Sequence, residues 1–351
     1  MEIKKTNLEI NFQNLNMRKK TLIIAEAGVN HNGSFTKAKK LIDAAVKSGA
    51  DVIKFQHFKS DLLIIKKIFS QKFKKKLKIK STYNMLKKYE LNFSQIKRLK
   101  EYALKKKIIF VATPFDNKSA DELQKINVPF YKISSGDVNN LPLIQHIIKK
   151  KKPIILSTGR SSYSEIKNTI SYLKKNNFNK YSILHCVSIY PADVKILNLN
   201  SIKYLKKKFN CKIGFSDHSI GVEASIAAFV LGAEIIEKHI TLNVNDKGPD
   251  HKSSTEPEDF KKMVLAIRNL EKGMGDESKK ILKVENFGKI KSRRSIYANK
   301  DLYKNQVLKY EDIICKRPAL GINPDDFFKL IGKKIKKNVK KDEPLIWNHI
   351  Y

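Results

Sequence analysis

The chain contains no apolar run near the roughly 18 residues that a membrane-spanning helix needs. Its first twenty residues, MEIKKTNLEINFQNLNMRKK, lack the apolar stretch of a signal peptide. A cytoplasmic protein with no membrane partner is the expectation. Cysteine is scarce: Cys186, Cys211 and Cys315 form no Cys-x-x-Cys pair, and an odd count fits a reduced compartment better than a disulfide framework. Cys186 follows His185, but adjacent strand residues face opposite ways, so it reads as a buried structural thiol. Arginine is scarce as well. Of 71 basic residues only seven are Arg, against 34 acidic residues and a net charge of +37. A specific nucleic-acid interface favours guanidinium forks, whereas these lysines are spread over helix-like faces. The excess reads as a solvated basic surface that steers anionic substrates, without a specific nucleic-acid partner. No glycine-rich phosphate loop and no long internal repeat is present.

What remains is a folded chain of 351 residues, 41% hydrophobic and 30% charged, long enough for about two domains. Its first part repeats a short apolar, β-branched run ending in polar residues, followed by a stretch of helical spacing. The strand candidates are TLIIAEAG, DVIKFQHF, IIFVATPF, PFYKISSGD, PIILSTGR, YSILHCVSIY, CKIGFSDHS and EIIEKHITL. Near-continuous apolar strands alternating with helices predict a parallel sheet buried on both sides, and eight of them predict a (β/α)8 TIM barrel. AKKLIDAAVKSGA, with Gly49 at its C-cap, and GVEASIAAFVLGA read as barrel helices. Thr255, Pro257 and Glu258 read as a capping box opening the last one, through about Leu270. Residues 59–90, with the lysine-rich run KFKKKLKIK, fit no strand–helix spacing and read as a basic loop inserted over the barrel mouth. The domain reading is an N-terminal extension over 1–20, a barrel over 21–275, a charged linker over 276–292 and a small C-terminal domain over 293–351.

In such a barrel the C-terminal strand ends carry the active site. Here they carry Glu26, Lys54, Gln56, Thr113, Lys132, Ser135, Asp137, Ser157, Thr158, Ser188, Tyr190, Ser216, His218, Glu237 and His239. His218 and His239 hold matching positions on adjacent strands, either converging on one divalent ion at an open site or standing as hydrogen-bonded core histidines. Period two sets Ser216 with His218 and turns Asp217 and Lys238 the other way, as braces. Lys54 and Lys132, with the hydroxyls of Thr113, Ser135, Ser157 and Ser216, form a cradle suited to a small phosphorylated or carboxylated anion. A Schiff-base aldolase is the competing use of a barrel lysine.

IAEAGVNHNG, KFQ, TPFD, KISSGD, LSTG, GFSDHS, EKHITL and GPDHKSSTEP, in that order, resemble the sialic acid synthase family. The tail RRSIYANKDL to CKRPALGI resembles that family's antifreeze-like (SAF) domain. The resemblance implies condensation of phosphoenolpyruvate with an N-acetylated amino sugar, either N-acetylmannosamine or a 2,4-diacetamido-trideoxy sugar giving a legionaminic-type acid. It implies that Glu26, Lys54 and Lys132 are catalytic, and that both lysines hold phosphoenolpyruvate with Thr113, Ser135, Ser157 and Ser216. Gln56, Asp137, Tyr190 and Asp250, with Glu26, then meet the sugar, and Ser188 stands where some members carry Asn. His218 and His239 hold a divalent metal, usually manganese, with magnesium or cobalt as alternatives. Arg317 reaches over a partner's barrel in a domain-swapped homodimer. Asp137 stands where many members have Glu, and Arg160 where many have Met, which leaves the sugar open. A non-catalytic glycan-binding protein is the rival from another class.

Overall fold

The structure, a computed structural model, describes residues 20–67 and 79–351. Nearly all of the N-terminal extension and most of the lysine-rich run lie outside the described residues. The chain divides into two compact units, residues 1–274 and 275–351. No helix among the described residues is long and apolar enough to cross a membrane.

The first unit alternates strands and helices. Its elements are β1 Leu22–Gly28, α1 Phe35–Lys47, β2 Val52–His57, α2 Ser60–Leu63, α3 Ile79–Tyr89, α4 Phe93–Lys105, β3 Ile109–Pro114, α5 Asn117–Lys125, β4 Tyr131–Ile133 and α6 Leu141–Ile148. There follow β5 Ile154–Ser157, α7 Tyr163–Lys175, β6 Tyr181–Cys186, α8 Ser201–Lys208, β7 Lys212–Asp217, α9 Glu223–Val230, β8 Ile235–His239 and α10 Pro257–Gly273. The eight strands are hydrogen-bonded in the order β3-β2-β1-β8-β7-β6-β5-β4, and the end strands β3 and β4 lie against each other. The predicted TIM barrel is therefore present, with each expected strand in place.

Alternation along the strands builds the interior in layers. Leu22, Ile24, Val52, Val111, Phe130, Ile155, Leu184 and Ile235 form a closed apolar floor inside the barrel. Two residues further along the strands, the same inward direction is occupied by Glu26, Lys54, Thr113, Lys132, Ser157, Cys186, Ser216 and Glu237, all buried. Outward positions such as Ile23, Ala25, Ile53 and Phe55 pack with Leu41, Ile42, Ile96 and Leu99 of the helices. The floor keeps water from entering below, so the polar layer opens only toward the C-terminal mouth.

Local signals set the helix ends. Ser34 caps α1 by accepting from Lys37 N, and Gly49, at φ +78°, closes it with Gly49 N–H on Val46 O and Ala50 N–H on Ala45 O. The expected capping box at Thr255 is not the one formed. Glu256 is the N-cap residue with Pro257 at the first turn, no side chain caps the helix, and it runs on to Gly273. The Glu256 carboxylate instead accepts from Val244 N at 3.0 Å. Residues 68–78 of the insertion after β2 lie outside the described residues; α3 spans Ile79–Tyr89, and its Met85, Leu86 and Tyr89 pack with Phe58, Phe115 and Val29.

In the second unit α11 Asn286–Ser292 lies within the stretch read as a linker. It is followed by β9 Ser295–Ala298, antiparallel to β10 Ile313–Lys316, and by α12 Phe327–Leu330. Ile296, Ala298, Leu302, Leu308, Ile313, Leu330, Ile335, Val339 and Leu345 give this unit its own core.

Because the floor is close-packed, truncating one member leaves a cavity beneath the polar layer. Leu184→Ala is expected to lower unfolding free energy by about 2–5 kcal/mol, read as a drop in the urea midpoint with unchanged slope. A loss under about 1 kcal/mol would show that the floor collapses to fill the space.

Candidate active site

The polar layer lines a cavity of about 270 Å³ at the barrel mouth. Strands β1, β2 and β3 contribute Glu26, Lys54, Gln56 and Thr113; β4 and β5, with the turns after them, contribute Lys132, Ser135 and Ser157. Ser188 and Tyr190 come from the segment after β6, and Ser216, His218 and His239 from β7 and β8. Twelve residues given a role from sequence thus share one space. Cys186, Glu237, Arg160, Phe115, Ser134 and Gly136 line it too.

Four buried charges occupy its centre. Lys54 Nζ lies 2.7 Å from Glu26 Oε2 and 3.5 Å from Glu237 Oε2, and donates to Thr113 Oγ1 at 3.1 Å. Lys132 Nζ donates to Ser157 Oγ at 2.6 Å and lies 3.6 Å from Glu237 Oε1, which accepts from Ser216 Oγ at 2.9 Å. Burial favours the neutral forms of all four groups, and the pairing decides which of them stay charged. For Lys54, burial is outweighed by Glu237 and Glu26, and its pKa is raised. For Lys132, burial wins over Glu237 and the pKa falls. Burial also pushes against the Glu237 carboxylate, but Lys132 and Lys54 hold its pKa below the ordinary value. Glu26 goes the other way: burial raises it from 4.5 to about 7 despite Lys54. A carboxyl poised there can give or take a proton near neutral pH.

The imidazoles sit beside this quartet. The rings of His218 and His239 are 5.4 Å apart between centroids, with the Tyr190 ring 4.1 Å from His218. Burial, then the charge of His218, drives the His239 pKa well below its ordinary value, so that ring is neutral. Its Nδ1 is buried without a hydrogen-bond partner, 3.8 Å from Asp250 Oδ2. His218 Nδ1 is hydrogen-bonded to Val187 O at 2.8 Å, which leaves Nε2 for another partner. Among the described residues no group of three or more His, Cys, Asp and Glu gathers as a closed metal cage. Two converging imidazoles fit a divalent cation whose remaining positions are filled by water or substrate. Behind them, outside the cavity, Lys238 Nζ donates to Asp217 Oδ2 at 2.8 Å and to Ser219 O at 2.9 Å, and Ser225 Oγ donates to the same carboxylate oxygen at 2.7 Å. Both charged side chains are fully buried, so the residues before each histidine are fastened to one another as the sequence reading expected.

Other singled-out residues stand at or outside the cavity's lining. Cys186 is buried, as expected, but it also lines the cavity, 3.6 Å from Ser188 Oγ and 3.8 Å from His218 Nδ1. Burial raises its pKa, but His218, Ser135 and Ser188 outweigh that and bring it to about 7. Asp137 does not line the cavity; its carboxylate accepts from Ser134 Oγ at 2.6 Å and Asn140 Nδ2 at 3.0 Å within a tight turn. Asp250 is not a lining residue either; its carboxylate lies 3.8 Å from His239 Nδ1 and within electrostatic reach of His218 and Lys54. Arg317 belongs to the second unit. The backbone beyond it is fixed there, with Pro318 O accepting from Tyr297 Oη at 2.7 Å and Ser295 Oγ at 3.1 Å, and Leu320 N donating to Ser295 Oγ at 3.1 Å. Glu237 was legible from its register with His239 but had been given no role.

The NeuB family model matches residues 41–279, and the SAF domain model matches residues 293–350. The chain is 43% identical to the N,N'-diacetyllegionaminic acid synthase of Campylobacter jejuni, over 93% of this chain and 98% of that protein. It is 34% identical to the human N-acetylneuraminate-9-phosphate synthase, over 93% of each. Among solved structures, the N-acetylneuraminic acid synthetase of Leptospira borgpetersenii, in complex with citrate, aligns with a TM-score of 0.69 and 36% identity, covering 77% of this chain and 90% of that one.

The raised Glu26 pKa has a consequence for stability. The folded protein holds a proton on Glu26 that the unfolded chain releases, so the contribution is complete below about 4.5 and lost as pH rises through about 7. Between about pH 5 and pH 8 the wild type is expected to lose roughly 2 kcal/mol relative to Glu26→Gln, measured by urea unfolding. Parallel pH profiles for the two proteins would show that Glu26 ionises normally.

Proposed function

The chain belongs to the NeuB family of sialic-type acid synthases, and on that premise we propose that it is a phosphoenolpyruvate-dependent transferase that makes a nonulosonic acid from an N-acetylated amino sugar. The observation that carries this reading is the buried Lys54–Lys132–Glu26–Glu237 quartet, ringed by hydroxyls and set beside two imidazoles in one cavity. Two lysines in a dry pocket suit a small polyanion, and their partial neutralisation by the glutamates keeps the empty pocket stable.

In this reading Lys54, Lys132, Thr113, Ser135, Ser157 and Ser216 hold phosphoenolpyruvate, and Gln56 and Tyr190 face the sugar. His218 and His239 would hold a divalent cation, manganese being the leading candidate, and when bound it supplies Lewis acidity for the sugar aldehyde. C3 of phosphoenolpyruvate attacks the aldehyde carbon, the new C–C bond forms, and the aldehyde oxygen takes up a proton. Positive charge develops at C2, stabilised by the cavity's carboxylates. Water adds to C2 while Glu26, ionised for this step, accepts its proton; the bond from C2 to the phosphate oxygen then breaks, the C2 hydroxyl gives up its proton to become the keto group, and phosphate leaves carrying that proton. The apolar floor and buried walls limit competing hydrolysis.

The acceptor is N-acetylmannosamine or a related N-acetylated sugar. The second reading, a 2,4-diacetamido-trideoxy acceptor giving a legionaminic-type acid, is favoured by the higher identity to the Campylobacter synthase than to the human one, 43% against 34%. The assembly proposed is a domain-swapped homodimer in which the SAF domain of one protomer carries Arg317 to its partner's barrel. The prefixed backbone around Pro318 supports a loop shaped for contact.

Incubation of phosphoenolpyruvate with manganese and each sugar is expected to release phosphate with at least one of them. The release should stop on chelation and return when manganese is restored. A lysine aldolase would ignore the chelator and release none, and silence with both sugars would overturn the synthase reading. Arg317→Ala should raise KM for the sugar by about tenfold or more while leaving KM for phosphoenolpyruvate within about twofold; an unchanged sugar KM would remove Arg317 from the site.

A further inference from the structure

Charge in the cavity is zoned. The side formed by β1, β2, β7 and β8 carries both carboxylates and both imidazoles, through Glu26, Glu237, His218 and His239. The side formed by β4, β5, β6 and the segment after it contributes Lys132, Ser135, Ser157, Cys186, Ser188 and Arg160, with no carboxylate of its own, Glu237 approaching only Lys132, at 3.6 Å. Lys54, on the first side, is held between both carboxylates, so the strongest repulsion of a dianionic group arises there and the weakest beside Lys132, the serines and Arg160. Of the cations lining the cavity, Lys54 and Lys132 are already engaged with Glu26 and Glu237. Arg160 donates from Nη2 to Ser188 O at 3.0 Å, and among the described residues no carboxylate pairs with it. A guanidinium has five N–H donors in a planar fork, so donors remain for a ligand.

The backbone holds Arg160 at this position. Gly159 N donates to Ser135 Oγ at 2.9 Å, and a Cβ on Gly159 would stand 2.1 Å from Ser188 Oγ and 3.0 Å from Ser135 Oγ. The turn after β5 is thus pressed against the two serines, with no room for a side chain between them. Arg160 follows in a left-handed conformation, φ +60°, which an L residue with a Cβ adopts at a cost. The side chain also borders a neighbouring cavity of about 460 Å³, but that space has no lysine and is lined instead by groups such as Tyr163, Tyr204 and Leu205.

We propose that Arg160 is a substrate-binding residue that grips the phosphoryl group of the enol ester, completing with Ser135, Ser157 and Ser188 a dianion subsite on the carboxylate-free side of the cavity. The assignment rests on the synthase reading above and adds to it a residue that discriminates a phosphorylated from a non-phosphorylated three-carbon acid.

Calorimetric titration of phosphoenolpyruvate, pyruvate and inorganic phosphate into wild type, Arg160→Met and Arg160→Lys tests it, alongside steady-state phosphate release. Thermal melting reports whether each variant is folded. For Arg160→Met the affinity for phosphoenolpyruvate and for inorganic phosphate should fall about 10–100-fold, with pyruvate affinity and the sugar KM within about twofold. Arg160→Lys should recover part of the loss, because charge returns without the fork. If the wild type neither binds phosphoenolpyruvate nor releases phosphate from it, the synthase reading falls and the assignment with it. If the wild type does both and folded Arg160→Met binds phosphoenolpyruvate as tightly, or loses affinity for the sugar instead, the assignment alone is overturned.

Discussion

Burial of four ionisable side chains in one low-dielectric layer is the constraint on which this barrel's chemistry depends. Isolated lysines at the depth of Lys54 and Lys132 would be driven toward neutrality. Glu26 and Glu237 prevent that for Lys54, but unequally: Glu237 stays ionised between both lysines, whereas Glu26 is left near the point of half-protonation. With the Glu26 pKa raised, the carboxylate charge only partly offsets the two lysines. An incoming anion therefore completes a balance already mostly met, and the protein avoids holding an unpaired buried charge in its absence.

The same layer explains how one small cavity can separate tasks. Parallel strands leave their C-terminal ends at a common height, so residues from opposite walls face each other across a few ångströms. Carboxylates, imidazoles and Lys54 share one wall, and Lys132, three serines and the Arg160 guanidinium the other. A bifunctional substrate then has a preferred direction before any residue moves. Cys186 lies at the border, its thiol brought to about 7 chiefly against burial by His218.

Much of this was legible in the sequence because it follows period two. The apolar floor, the polar layer above it and the inward turn of Glu26, Lys54 and His239 all obey strand alternation, as does the outward turn of Asp217 and Lys238. Legibility failed where alternation ends. Beyond Ile133 the chain enters a tight turn, and Asp137 satisfies Ser134 and Asn140 there. Alternation separated Cys186 from His185, but alternation alone did not say that Cys186 is the one facing the cavity. Helix α3 was hidden by its lysines, although Met85, Leu86 and Tyr89 recur at helical spacing and supply its packing face. Glu256 took the cap position because Pro257 fixes the first helical residue, leaving Thr255 one place too early.

The pair Lys238–Asp217 touches no cavity wall, yet it restricts how this sequence can change. Each partner is wholly enclosed, so replacing either one strands the other's charge in the sheet–helix interface. Exchange of both together for apolar residues would avoid that penalty but requires passage through a damaged intermediate. The two positions are thus coupled in sequence as well as in space: each single change is costly, and only their joint exchange leaves no buried charge unpaired.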